Sequence, residues 1–185
     1  MINDALKDAH ERMKAAIQSL EEDLASIRTG RASPALVEKL PVEYYGSPTP
    51  LNQLASISIP EPRTLLIRPF DPASLKNIEK AIQVSDLGLT PNNDGKAIRL
   101  NLPVLTEERR RDLVKVVHNR IEEARVAVRN VRRESIKDMR EFEEEKLVSE
   151  DDLKRGEDKI QDLTDDFNKQ IGEIGERKEK EVMEV

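Results

Sequence analysis

The chain has no cysteine and no tryptophan, and all ten of its prolines fall between Pro34 and Pro103. Without thiols there is neither a disulfide framework nor a thiolate metal site. Two histidines, His10 and His118, are too few to suggest zinc. The lack of cysteine fits a cytoplasmic protein, and that location is expected. No window approaches the ~18 apolar residues of a membrane span. The opening run from Met1 to Asp8 lacks an apolar signal core and is too acidic for a transit peptide, so no leader is expected. Aromatic residues make up 3% of the chain and charged residues 37%. Such a balance disfavours one large globular core and favours long solvated helices.

Proline breaks helix interiors at a cost of ~3 kcal/mol. The flanks of the chain are therefore free to be long helices, and the middle is not. We read this composition boundary as a domain boundary. Residues 1–30 and 105–185 are expected to form one domain, and 31–104 an inserted one.

The first flank, Ile2 to Arg28, spaces Ile2, Leu6, Ala9, Met13, Ile17, Leu20, Leu24 and Ile27 by three and four, as a heptad seam does. It is expected to stop at Thr29-Gly30, with Gly30 as the left-handed stop. The second flank starts at the candidate N-cap Thr106. Its seam runs Leu113, Val117, Ile121, Ala124, Val128, Val131, Ser135, Met139 and Phe142, and it weakens near Lys146. The third opens on Ser149-Glu-Asp-Asp152 and continues through Leu153, Ile160, Leu163, Phe167, Ile171, Ile174 and Val182. A helix cannot bury such a stripe alone. The short link near residue 148 makes the last two helices antiparallel neighbours. The expected result is an elongated antiparallel three-helix bundle.

The middle reads differently. Val42–Tyr45, Leu54–Ile59, Thr64–Arg68 and Ala97–Leu102 look like strands, with Pro60-Glu-Pro62 as a turn and Ser74–Val84 as a helix. These make a small α/β domain, so the fold class is α+β. Hinges are expected around Thr29-Gly30-Arg31 and Pro103-Val104-Leu105-Thr106, where two short connections join the domains.

Nothing points to catalysis. The acidic pairs read as solvated helix faces. Neither histidine has a local serine or cysteine partner, and no phosphate-loop or dinucleotide fingerprint occurs. We expect a non-enzyme with no cofactor and no small-molecule substrate.

The charge distribution is more informative. Net charge is −6, yet Arg109 to Arg133 holds nine Lys/Arg against three acids, a local +6. Leu147 to Val185 holds thirteen acids against seven bases, a local −6. At about 100° per residue, Arg111, Lys115, His118, Arg125, Arg129, Arg132, Arg133 and Arg140 lie on a stripe away from the apolar seam. Arg125 to Arg133 contains four arginines and no acid. Arginine suits bidentate phosphate contacts. A polyanion is the favoured partner of this face, through phosphate and shape, because no aromatic residues interleave for base stacking. Solvation of the stripe is the alternative. Arg28 and Arg31 either extend the basic surface or merely flank a helix stop.

Several segments together resemble the bacterial ribosome recycling factor family. They are Ile27-Arg-Thr-Gly-Arg-Ala-Ser-Pro34, Val42-Glu-Tyr-Tyr-Gly46 with Thr49-Pro-Leu51, Ser85-Asp-Leu-Gly-Leu89, Leu105-Thr-Glu-Glu-Arg-Arg110, and Ala124 to Arg133. The resemblance spans the whole chain. Pro60-Glu-Pro62 departs from it and stiffens one hairpin. The resemblance implies an L-shaped pair of domains, the smaller one β/α/β sandwich-like. It also implies binding to the post-termination ribosome on the 23S rRNA of the large (50S) subunit. With elongation factor G and GTP, the subunits would then be split. By the same resemblance, Arg129, Arg132 and Arg133 face rRNA, with Arg28 and Arg31 near the hinge and Arg125 on the same stripe. The protein is expected to be a monomer without membrane contact. Two rival readings stand beside this one: a coiled-coil adaptor that binds only proteins, and a general RNA chaperone.

Overall fold

The computed structural model describes residues 1–184; Val185, the last residue of the expected bundle domain, lies outside the described residues. The chain divides into two compact units, one of residues 1–28 with 106–185 and one of residues 29–105. Thr29, Gly30 and Leu105 thus fold with the inserted unit.

The first unit holds three helices: α1 (Ile2–Ala25), α4 (Glu107–Glu144) and α5 (Glu150–Met183). Each packs on the other two. At 1.5 Å per residue they are about 36, 57 and 51 Å long. Arg140 meets Glu157, and Arg132 meets Gln161, so α4 and α5 run antiparallel. His10 packs edge-on against Phe167, with centroids 5.5 Å apart. The core is continuous along the seams: Ala9, Met13, Ile17, Leu20 and Leu24 from α1, Val117 through Met139 from α4, and Ile160, Phe167 and Ile171 from α5. Phe142 is only half-buried, near the C-terminal end of α4.

Local chemistry sets the helix ends. Thr106 Oγ1 accepts from Arg109 N at 3.1 Å and starts α4. Ser149 and Asp152 form a reciprocal capping box at α5. Between them Lys146 adopts φ +60°, while Leu147 N bonds Phe142 O and Lys146 N bonds Glu143 O. This closes α4 with a left-handed residue, as in the Schellman motif. The first helix ends earlier than expected. It stops at Ala25, where Ser26 Oγ donates to Asp23 O and draws a carbonyl out of the ladder. Gly30 does have φ +78°, but it lies beyond the helix and does not cap it.

Three small residues complete α5. Gly156, Thr164 and Gly175 are buried, where a reading by hydrophobicity sees Leu153, Leu163 and Ile174, which are half-buried. A β-carbon on Gly156 would come 2.7 Å from the Met139 sulfur. The backbones approach through these positions.

The second unit holds a hairpin, β1 (Pro41–Tyr44) and β2 (Ser47–Pro50), a short helix α2 (Leu51–Leu54), and an antiparallel sheet. The sheet comprises β3 (Ala55–Glu61), β4 (Thr64–Pro69), β5 (Pro91–Asn93) and β6 (Ile98–Asn101), in the order β3-β4-β6-β5. Helix α3 (Leu75–Val84) packs against β1 and β5 and buries Leu75, Ile78 and Ile82. The core adds Val37, Val42, Leu51, Leu65, Ile67, Ile98 and Leu100. Strands β2 and β5 escape sequence reading because Pro48, Pro50 and Pro91 mask them. Both lie at sheet edges, where a missing N–H is tolerated. The β3–β4 turn is Pro62-Arg63 rather than Pro60-Glu-Pro62, because Glu61 still pairs with Thr64 after a register shift.

Candidate nucleic-acid interface

Eight seam positions of α4, from Leu113 to Met139, are buried, which turns the rest of that helix to solvent. Arg125, Arg129 and Arg133 are exposed, and Arg132 is half-buried at the margin toward α5. These four share one face of one rigid helix, spaced so that no bend separates them.

Their partners differ. Among the described residues, Arg125 and Arg133 make no hydrogen bond or ion pair. Arg129 Nη2 bonds Glu122 Oε1 at 2.7 Å, with both side chains about half exposed (47% and 59%). Exposed pairs of this kind are worth roughly 0–1 kcal/mol, so a phosphate can replace the carboxylate. Arg132 Nη1 donates to Gln161 Oε1 at 2.7 Å, and its Nε is buried without an acceptor. Farther along, Arg140 pairs with Glu157 at 2.9 Å and His118 meets Glu179 at 3.2 Å. Along the stripe, Arg129 and Arg140 are thus paired with carboxylates, whereas Arg125 and Arg133 are not.

Glu122 is the residue the charge count undervalued. Seven positions before Arg129, it lies on the basic face, and the helical period alone places it there. Gln161 carries no such signal, because it comes from another helix.

Arg28 is exposed beyond the end of α1, Arg31 is exposed in the second unit, and both engage in interactions of their own. Among the expected hinge residues, Thr29 is buried. Gly30 packs closely on the other connection: a β-carbon there would lie 3.4 Å from Leu105 Cγ and from the Pro103 carbonyl. Val104 is 57% exposed, and Thr106 caps α4.

Among the described residues, no cluster of His, Asp or Glu is arranged to hold a metal ion. No helix there is long and apolar enough to cross a membrane.

The ribosome recycling factor family model matches residues 20–183. The chain belongs to that family. A ribosome-recycling factor from Syntrophomonas wolfei is 58% identical over 185 residues, with both chains fully covered. One from Roseiflexus sp. (strain RS-1) is 55% identical with the same coverage. The solution structure of a ribosome recycling factor superposes with a TM-score of 0.80 at 46% identity, covering 100% of this chain and 98% of the other. A second, at TM-score 0.66, 46% identity and full coverage of both chains, comes from models of the T. thermophilus ribosome recycling factor and E. coli elongation factor G bound to the E. coli post-termination complex.

Proposed function

We propose that this chain binds the post-termination ribosome and, with elongation factor G and GTP, drives its separation into subunits. The bundle binds 23S rRNA of the large subunit through Arg125, Arg129, Arg132 and Arg133. Support comes from the family and from the relative placed with elongation factor G in a post-termination complex. The observation that carries the RNA contact is Arg125 and Arg133, exposed on one helix face without a protein counter-ion. An unpaired, weakly hydrated guanidinium is suited to bidentate phosphate contact.

The connections around Thr29-Gly30-Arg31 and Pro103 to Thr106 act as a hinge, with Arg28 and Arg31 beside it. A push on the small unit is passed through that hinge to the bundle. This chain hydrolyses nothing; the nucleotide chemistry belongs to elongation factor G. It works as a monomer in the cytoplasm.

The test is binding to purified large subunits across a salt series, followed by splitting of post-termination ribosomes with and without elongation factor G and GTP. Neutralising four phosphates predicts a fall in affinity of about a hundred-fold between about 50 and about 200 mM salt. A flat salt response, as a protein-only adaptor would give, overturns the rRNA contact. Equal affinity for unrelated duplex RNA points instead to a general chaperone.

A further inference from the structure

We infer that the small unit carries a separate docking cleft that receives an arginine or lysine side chain from a basic protein segment. The cleft, of about 390 Å³, lies between the β1–β2 hairpin and the start of α3. Glu43, Tyr44, Tyr45, Asp71, Ser74 and Asn77 line it, and no basic residue does.

Its aromatic wall is unusual in this chain. There are five aromatic residues in all, and two of them, Tyr44 and Tyr45, line the cleft, with Tyr45 84% exposed. Tyr45 also sits at φ +49°, followed by Gly46 at φ +79°. A two-residue hairpin turn of this kind selects asparagine, aspartate or glycine at its first position. A tyrosine there strains the backbone and stays largely in solvent, so the turn itself does not account for it. Strain of this sort collects where a side chain serves binding. The Tyr44 and Tyr45 rings meet edge to face, with centroids 4.5 Å apart at 77°, which fixes the wall.

The acidic wall completes the chemistry. Tyr44 Oη donates to Asp71 Oδ2 at 3.5 Å, while Asp71 Oδ1 accepts from Ala73 N at 3.0 Å. Asp71 is thereby held in place with its charge at the cleft, and Glu43 adds a second carboxylate. A guanidinium donates charge-assisted hydrogen bonds to carboxylates and stacks on an aromatic face. The same two carboxylates repel a phosphate backbone. The cleft is thus opposite in sign to the arginine face of α4, and a protein segment rather than RNA is its occupant.

The test titrates the isotope-labelled full chain with acetyl-Gly-Arg-Gly-Arg-Gly-amide and follows amide chemical shifts. Shifts gathered at residues 43–47 and 71–77 are expected, with none from a citrulline peptide of the same shape. Asp71→Asn keeps the cap and removes the charge; it weakens binding about five-fold or more. Tyr45→Asn does the same while raising the melting temperature, because asparagine suits the turn. Shifts spread along the acidic α5, equal shifts from the citrulline peptide, or affinity unchanged by Asp71→Asn would overturn the inference. So would a short RNA hairpin that moves these amides more than the peptide does.

Discussion

Arg132 of α4 donates through Nη1 to Oε1 of Gln161 on α5 at 2.7 Å, and its Nε is buried with no acceptor. The arginine is thus held at the bundle margin by a neutral partner and still carries its full charge. Binding and packing can be separated here. Arg132→Ala is expected to weaken large-subunit binding about ten-fold with little change in helix content. Gln161→Ala costs about 1 kcal/mol of stability and leaves binding nearly intact. Sedimentation with large subunits and thermal melts check both. Unfolding of Arg132→Ala would show that this arginine is chiefly structural.

Glu122 competes with any phosphate for Arg129. Glu122→Gln removes that competitor and raises the local positive field. Tighter binding is expected, with the salt slope still that of four phosphates. Affinity at fixed salt reads this directly; unchanged affinity would mean that Arg129 does not meet phosphate.

Gly175 faces Ile121 so closely that a β-carbon would overlap Cδ1 and lie 2.8 Å from Cγ1. Both positions are buried. Gly175→Ala is expected to destabilise the bundle by about 1–3 kcal/mol, since packed interiors resist added volume. Combining it with Ile121→Val should recover part of that loss. A double-mutant cycle by chemical denaturation measures the coupling.

Asp152 titrates below the ordinary value of 3.8, chiefly because it accepts from the Ser149 hydroxyl and then from Arg155. A carboxylate with a lowered folded-state pKa stabilises the fold above its unfolded value. That contribution is lost as pH falls below about 4 and through the folded value. Asp152→Asn should therefore flatten the acid limb of the stability curve by lowering stability near neutrality, and change little below the folded value. Melting temperatures between pH 2 and 7 test the sign.

Ile2 to Leu24, Leu113 to Met139 and Ile160 to Val182 show their helical seams without any structure, because spacing along one helix is a local property. So is the arginine run at Arg125 to Arg133. Proline confinement likewise marks the inserted unit. The tertiary structure decided what crosses between elements. The register of α4 against α5 gave Arg132 a glutamine and placed glycines, not leucines, at the closest approach. Sheet edges made room for Pro48, Pro50 and Pro91 inside strands. The fold of the small unit set Asp71 beside two tyrosines that lie some 26 residues earlier in the chain. Such contacts depend on how elements are stacked and turned against one another, and no periodicity within a single element encodes that.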